Sequence, residues 1–298
     1  MRPQDDAAPV TVSPFSMTTA DGYPLAATLF RSDAAALSAP LTVISPAAAV
    51  PARYYARFAS YLAERGGLVV SFDYRGIGAS APTSLRGFTA RMRDWCTLDV
   101  PAVIAWAGRA HPDRPLHWLG HSMGGFAPGL AHNNAAIARQ LNIATLSGYW
   151  RRMRSPERYR VRVLMGIIAP PLVRTLGYFP GVFMGGENMP APAFLEWAGW
   201  CMTPDFIFGD PTLGEVRHFA TLTAPVRFAQ IEDDVWGTPA AVGHMASHFK
   251  ASSERSIWSV RLADAQAHKI GHLGFFRPAF RTTLWPDAAA WLEAGAPA

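Results

Sequence analysis

Cysteine is scarce in this sequence of 298 residues, where only Cys96 and Cys201 are present. Two distant cysteines without a Cys-x-x-Cys pattern argue against a disulfide-rich secreted domain and against a zinc site. We therefore expect two buried thiols in a protein of the reducing cytoplasm. Residues 1–6 are polar and lack the apolar core of a secretory signal, which leads to the same expectation.

Long apolar runs and cofactor motifs are missing as well. No stretch of about 18 apolar residues is free of charge, so we expect no transmembrane segment. The sequence contains no dinucleotide-binding glycine motif, no P-loop and no metal-ligand spacing. We therefore expect neither a cofactor nor a metal ion.

Lysine is nearly absent, with Lys250 and Lys269 as the only two, so the net charge of +5 comes from arginine. This charge is mild and spread along the chain, which argues against a nucleic-acid partner. One arginine cluster is denser and comprises Arg151, Arg152, Arg154, Arg158, Arg160 and Arg162. Such a cluster can attract an acidic substrate tail, a phosphate or a membrane surface, although a solvated helix face is the ordinary explanation.

Apolar strand-like segments alternate with helical patterns along most of the chain. A hairpin is predicted around Asp21-Gly22, because apolar and polar residues alternate on both sides of this turn. Further strands are predicted at residues 41–44, 68–72, 116–119, 225–231 and 256–260, and helices at residues 54–65, 94–108 and 286–293. This alternation predicts a mostly parallel sheet flanked by helices, with reactive residues in loops at the carboxyl ends of the strands.

The alternation stops between residues 148 and 222, a stretch rich in Trp, Tyr, Phe, Met and Pro with helical but no strand patterns. We interpret this stretch as a helical cap that is inserted in the core and covers the site. The α/β core would then comprise residues 1–147 and 223–298. The alternative is an ordinary helical excursion whose aromatic residues only form core.

Residues 120–124, Gly-His-Ser-Met-Gly, have the G-x-S-x-G spacing of a serine nucleophile between a buried strand and a helix start. A sharp strand-to-helix turn exposes the hydroxyl of Ser122, and it requires residues without bulk at positions 120 and 124. The turn also directs the amide of Met123 towards the place where an oxyanion would form. The alternative is a glycine-rich turn with a bystander serine.

A serine hydroxyl needs an imidazole to accept its proton and a carboxylate to orient that imidazole. His272 lies in a glycine-flanked loop between the last predicted strand and the last helix, and we favour it over His268. Asp234 follows the predicted strand that ends at residue 231, and we favour it over Asp233. These choices predict a triad of Ser122, His272 and Asp234.

The motifs resemble those of α/β-hydrolases, and more narrowly those of the bacterial serine-aminopeptidase-like and monoglyceride-lipase-like branch. Within that branch the chain is similar to a group of predicted hydrolases without an assigned substrate. The matching segments are residues 19–25, 72–80, 120–125, 232–234 and 271–276, with residues 178–181 and 197–201 in the predicted cap. The resemblance implies the α/β-hydrolase fold, in which the triad members follow the chain order Ser, Asp, His that is found here.

The resemblance also implies an oxyanion hole formed by the backbone amides of Met123 and Ala47. The family usually carries His-Gly after its third strand, whereas this chain has Ser45-Pro46. Proline has no N–H, so Pro46 cannot donate a hydrogen bond to an oxyanion. The shape of this loop is therefore a point at which the chain departs from the family.

The leading hypothesis is a serine hydrolase that cleaves small-molecule carboxylic esters with an apolar acyl or alcohol group. In one alternative, the arginine cluster docks the phosphates of a coenzyme A thioester, and the protein is a thioesterase or acyltransferase. In another, Glu187 or Glu196 holds the free amine of an aminopeptidase substrate. The last alternative is a ligand-binding protein without catalytic activity on the same fold. The oligomeric state stays open.

Overall fold

The computed structural model describes residues 9–33 and 39–294, so the polar start at residues 1–6 lies outside the described residues. The strands are β1 (Val10–Thr18), β2 (Pro24–Ser32), β3 (Leu41–Ser45), β4 (Leu68–Phe72), β5 (Leu116–His121), β6 (Ile137–Ile143), β7 (Tyr178–Phe179), β8 (Met189–Pro190), β9 (Val226–Ile231) and β10 (Arg255–Val260). The α-helices are α1 (Ala56–Glu64), α2 (Met92–Asp94), α3 (Val100–Ala110), α4 (Met123–Phe126), α5 (Glu157–Val163), α6 (Ala169–Leu176), α7 (Ala191–Met202), α8 (Pro239–Ser247), α9 (Gly271–Gly274) and α10 (Trp285–Glu293). No helix in these ranges is long and apolar enough to cross a membrane.

Eight strands form one sheet in the order β1-β2-β4-β3-β5-β6-β9-β10. β2 pairs antiparallel with both β1 and β4, and all other neighbours in the sheet are parallel. β1 and β2 form the predicted hairpin, and Gly22 in its turn has a φ of +83°, a conformation that glycine adopts without strain. The prediction of a mostly parallel sheet with flanking helices is confirmed.

The centre of the sheet consists of β3, β4 and β5, and every residue of these three strands is buried. Successive side chains of a strand point to opposite faces, so Val43 packs into one apolar cluster and its neighbour Ile44 into another. The cluster around Val43 includes Trp118 and α3, and the cluster around Ile44 includes α1 and α10. Packing on both faces therefore fixes the carboxyl ends of the central strands.

The sequence patterns do not predict β6, which lies between β5 and β9. Polar residues interrupt its apolar pattern, yet Gln140 and Asn142 are fully buried. The Gln140 side-chain amide donates hydrogen bonds to the Gly125 carbonyl at 2.6 Å and to Asn142 Oδ1 at 2.7 Å. These bonds satisfy the donors of Gln140 in the interior, and they tie the strand to the turn that carries Ser122.

Between β6 and β9 the chain leaves the sheet, and we call residues 148–222 the insertion. It contains α5, α6 and α7, in agreement with its helical pattern. It also contains two strands that the sequence pattern does not indicate, since Tyr178 pairs with Pro190 and Phe179 with Met189 in an antiparallel ladder. Each of these strands has two residues, which is too short for a periodic pattern to indicate.

Candidate active site

Ser122 lies at the turn between β5 and α4, with a φ of +52° and a ψ of −114°. A non-glycine residue rarely adopts a positive φ, so the turn is strained. Two glycines make it possible: a Cβ on Gly120 would lie 2.3 Å from Gly125 Cα, and one on Gly124 would lie 2.1 Å from the Ser45 carbonyl oxygen. This close approach of strand and helix presents the Ser122 side chain to a cavity.

The structure brings Ser122, His272 and Asp234 into one hydrogen-bonded line. His272 Nε2 lies 3.0 Å from Ser122 Oγ, and His272 Nδ1 lies 2.7 Å from Asp234 Oδ2. The Trp236 amide donates to Asp234 Oδ1 at 2.9 Å, so Oδ2 faces the imidazole. An ionised carboxylate accepts only, and Nδ1 therefore carries the proton while Nε2 is able to accept the serine proton.

Burial and charge act in opposite directions on His272. Burial disfavours the imidazolium, but the charge and the hydrogen bond of Asp234 outweigh it, and the pKa of His272 is raised above 6.5. Burial alone would raise the pKa of Asp234, yet the charge and hydrogen bond of His272 and the nearby backbone amides lower it below 3.8. At neutral pH the pair therefore consists of an ionised carboxylate and a basic imidazole.

Asp233 and His268, the alternatives to Asp234 and His272 in the predicted triad, do not belong to this hydrogen-bonded line. Asp233 accepts hydrogen bonds from the amides of Ile270 and Gly271, at 3.0 and 2.8 Å, directly before His272. His268 is exposed to solvent and does not line the cavity. Asp233 thus holds the loop that carries His272, and His268 lies outside the site.

A chain of buried hydrogen bonds runs behind the serine. His121 Nε2 lies 2.9 Å from the His272 carbonyl oxygen, which only accepts, so this nitrogen carries a proton. Burial and the nearby His272 lower the pKa of His121 to about 3, so its ring is neutral and Nδ1 is an acceptor. Tyr55 Oη, 2.7 Å away, therefore donates to Nδ1, and it accepts the Ala47 amide proton at 2.9 Å. The direction of every bond from Ala47 to His272 is fixed by these partners.

The prediction that the Ala47 amide is the second oxyanion donor is wrong, because this amide already donates to the Tyr55 hydroxyl. An N–H that points at the Tyr55 hydroxyl 2.9 Å away is not available to an oxyanion. In the described part of the chain, the amides of Ala48 and Ala49 have no hydrogen-bond partner, and both residues line the cavity. The Met123 amide opens α4 and belongs to the unpaired N–H groups of a helix start.

A cavity of about 170 Å³ opens at Ser122 and His272. Its apolar lining comes from the loop after β3, the insertion and the loops that contain Asp234 and His272. The apolar lining residues are Ala47, Ala48, Ala49, Val50, Phe179, Met184, Met189, Trp197, Trp236 and Leu273. Arg160 also lines the cavity, and its guanidinium pairs with Glu157. No acidic side chain of the described residues belongs to the lining, so the space suits an apolar group.

The arginine cluster is spread over the outside of the insertion. Arg151 and Arg162 both lie over the ring of Trp150, with each guanidinium 5.0 Å from the ring centroid. Arg152 donates to a backbone carbonyl at 2.8 Å. Of the six arginines only Arg160 lines the cavity, so the cluster does not surround the serine.

The two acidic residues considered for amine binding are engaged elsewhere. Glu187 accepts the Gly78 amide at 2.7 Å and pairs with Arg53. Glu196 pairs with Arg93 and also accepts its backbone amide, at 2.8 Å. Neither glutamate lines the cavity.

Two residues of this site, Tyr55 and Trp236, are not indicated by the sequence patterns. Tyr55 is predicted only as an apolar position of a helix, because spacing indicates packing and not the partner of a hydroxyl. Trp236 donates from Nε1 to Glu157 Oε1 at 2.7 Å, and its ring centroid lies 6.3 Å from that of His272. Its position two residues after Asp234 is the signal that could have indicated it.

One family model matches part of the sequence. Residues 36–172 match the model described as serine aminopeptidase, S33. This range contains Ser122 and ends before Asp234 and His272. No curated relative matches the sequence.

Solved structures resemble the chain along nearly its whole length. A soluble variant of monoglyceride lipase from Saccharomyces cerevisiae has a TM-score of 0.66 at 15% identity, covering 100% of this chain and 99% of that chain. An esterase from Pyrococcus furiosus has a TM-score of 0.60 at 14% identity, covering 96% and 94%. A thioesterase domain from the curacin biosynthetic pathway has a TM-score of 0.53 at 13% identity, covering 95% and 99%. At these identities the likeness establishes a shared fold alone.

Proposed function

The chain has the α/β-hydrolase fold and matches the serine aminopeptidase model over residues 36–172, and on that premise we propose that it is a serine hydrolase of carboxylic esters. The observation that carries this proposal is the hydrogen-bonded line from Ser122 through His272 to Asp234. The three side chains provide a nucleophile, a base and a carboxylate that orients the base.

In the proposed reaction, Ser122 Oγ attacks the ester carbonyl carbon while His272 Nε2 takes up the hydroxyl proton. Asp234 stabilises the imidazolium that forms. The negatively charged carbonyl oxygen accepts hydrogen bonds from the Met123 amide and from one of the unpaired amides in the loop after β3. His272 then protonates the leaving alcohol, and the acyl-enzyme is released by a water molecule that the same ring deprotonates.

The cavity supports an ester with an apolar acyl or alcohol group. An aminopeptidase would need a carboxylate near the serine to hold the substrate amine, and Glu187 and Glu196 are paired with arginines instead. A coenzyme A thioesterase would need several arginines near the cavity, and of the arginine cluster only Arg160 lines it. Both alternatives therefore have less support than ester hydrolysis.

We also propose that the insertion acts as a cap, with residues 1–147 and 223–298 as the core. Phe179 and Trp197 of the insertion line the same cavity as Ser122, so a substrate would contact them on its way to the serine. A cap of this composition would select for apolar groups and exclude water from the acyl-enzyme.

A reducing compartment such as the cytoplasm is part of the proposal. Cys96 and Cys201 are buried and form no disulfide. Burial raises the pKa of both thiols, so neither is a thiolate at neutral pH. Such inert thiols are typical of proteins that are not exposed to an oxidising environment.

A substrate panel tests the proposal. It contains p-nitrophenyl esters of increasing acyl length, acyl-coenzyme A thioesters and aminoacyl amides, assayed with the wild type and with Ser122→Ala. We expect the esters to be cleaved fastest, a longer acyl chain to be preferred over acetate, and Ser122→Ala to be inactive. Faster cleavage of a thioester or an amide than of any ester would refute the proposed substrate class.

A further inference from the structure

Exposed apolar side chains are concentrated on one part of the insertion. Ten large apolar residues are exposed among the described residues, and seven of them lie between residues 159 and 183. These seven are Tyr159, Val163, Ile167, Ile168, Leu172, Val182 and Phe183. Single exposed apolar residues are ordinary, whereas a group of this kind marks an interaction surface.

Most of the group lies on one helix that runs from residue 157 to residue 176. A π turn at Leu164–Ile168 joins α5 to α6, so the helix continues without a break. Its buried residues recur every four positions and form an inner stripe, which comprises Val161, Met165, Ala169 and Val173. Val163 and Ile167 each follow a residue of this stripe by two positions, which places them about 200° around the helix, on its outer face.

The outer face is flanked by positive charge. Residues 150–176 contain Arg151, Arg152, Arg154, Arg158, Arg160, Arg162 and Arg174, and Glu157 is their only acidic residue. Arg162 and Arg174 are exposed and each follows a residue of the inner stripe by one position, so both flank the outer face. Apolar side chains flanked by arginines are the pattern of a helix that lies in the interface of an anionic membrane.

The helix of residues 157–176 also adjoins the cavity at Ser122. Arg160 of the same helix lines the cavity, and so do Gly181 and Met184. Between these two residues lie Val182 and Phe183, which are 83% and 52% exposed. The helix of residues 157–176 and the exposed pair Val182 and Phe183 therefore both adjoin the cavity that contains Ser122.

We propose that the outer face of residues 157–176, together with Val182 and Phe183, is a lipid-docking surface for membranes that contain anionic lipids. The apolar side chains enter the acyl region, and the flanking arginines contact the anionic headgroups. Docking itself does not depend on the triad. The further step, in which an apolar ester passes from the lipid into the cavity, rests on the proposed function.

Vesicle sedimentation tests the docking, with Ser122→Ala as the parent protein so that no lipid is hydrolysed. We expect the parent to bind vesicles of equal parts phosphatidylcholine and phosphatidylglycerol, and to bind weakly to pure phosphatidylcholine and at high salt. Adding Ile167→Ser should weaken the binding roughly tenfold, because one large apolar side chain no longer enters the lipid. Adding Ile257→Ser is the matched control, since Ile257 is exposed to a similar degree on the edge strand β10.

A second pair of variants tests the charge. Arg174→Ala should weaken the binding about fivefold at low salt, as expected for one arginine near an anionic surface. Arg109→Ala is its control, because Arg109 is an exposed arginine in the last turn of α3, just as Arg174 is in the last turn of α6. Thermal unfolding of all variants, followed by circular dichroism, shows whether they are folded.

The docking proposal is overturned if the parent does not sediment with the mixed vesicles. Equal weakening by Ile167→Ser and Ile257→Ser overturns it as well. A third overturning result is a parent that does not bind vesicles but forms a concentration-dependent dimer, and whose dimer is abolished by Ile167→Ser. The surface would then be an interface with a second copy of the protein. Labelling of wild-type Ser122 by a fluorophosphonate reports on the proposed function separately, so either proposal can fail without the other.

Discussion

Tyr55→Phe removes one oxygen from the buried chain of hydrogen bonds that links Ala47, His121 and His272. The phenylalanine ring would keep the packing of the tyrosine, whose ring centroid lies 4.7 Å from that of Phe276. Two polar groups would lose their partner, namely the Ala47 amide and His121 Nδ1, which lie 2.9 and 2.7 Å from the hydroxyl. Ala47 and His121 are both buried, so neither group is freely solvated once the hydroxyl is gone.

A buried polar group without a partner costs about 1–3 kcal/mol, so the free energy of unfolding should fall by about 2–6 kcal/mol. The activity should fall too, because the chain positions the carbonyl of His272 and the loop that contains Ala47. We expect a lower kcat with little change in KM, since the apolar lining that holds the substrate stays in place.

Urea unfolding measures the stability of this variant, and hydrolysis of a p-nitrophenyl ester measures its kcat and KM. Tyr61→Phe is the matched control in the adjoining helix α1, because the Tyr61 hydroxyl interacts with the surface side chain of Arg65. Its loss should stay below about 1 kcal/mol. If Tyr55→Phe unfolds at the same urea concentration as the wild type and keeps its kcat, the hydrogen-bond chain has no positioning role.

Three further predictions concern the triad, the pH dependence and the turn. Asp234→Asn should lower kcat/KM for ester hydrolysis by about 10³–10⁴-fold. It should also move the acidic limb of the pH profile to lower pH, because the carboxylate that raises the pKa of His272 is lost. An acidic limb at the wild-type pH would contradict this. Below pH 6.5 the unfolded chain protonates His121 while the folded chain, with a pKa of about 3, does not, so stability is lost as the pH falls. By about pH 5 this loss is about 2 kcal/mol, and urea titrations of His121→Gln should lack it. Gly124→Ala should fail to fold stably in circular dichroism melts, because its Cβ would lie 2.1 Å from a backbone oxygen, whereas Gly108→Ala, with nothing within 4 Å, should melt at or slightly above the wild-type temperature.

Sequence patterns predict the strands of the sheet whose residues are all buried and mostly apolar. β3 and β4 consist almost entirely of apolar and β-branched residues, so a periodicity argument finds them. The same argument does not predict β6, because its polar residues Gln140 and Asn142 are buried with hydrogen-bond partners that only the folded chain provides. The strands β7 and β8 are not predicted either, because a strand of two residues is too short to show an alternating pattern.

The candidate site is predictable in its residues and less so in its backbone. Ser122 could be proposed because the turn requires glycine at fixed positions, and Asp234 and His272 because they follow strands whose carboxyl ends meet. The role of the Ala47 amide could not be decided from sequence. Its direction depends on the hydroxyl of Tyr55, which reaches it from a different element of the fold.

The central claim is that Ser122 is a nucleophile activated by His272, and the reaction with a fluorophosphonate followed by intact mass tests it most directly. Wild type and Ser84→Ala, which changes an exposed serine, should each gain one adduct, and peptide mapping should locate it at Ser122. Ser122→Ala should gain none, and His272→Ala should react far more slowly. An adduct on another residue, or a rate for His272→Ala equal to that of the wild type, would contradict the account.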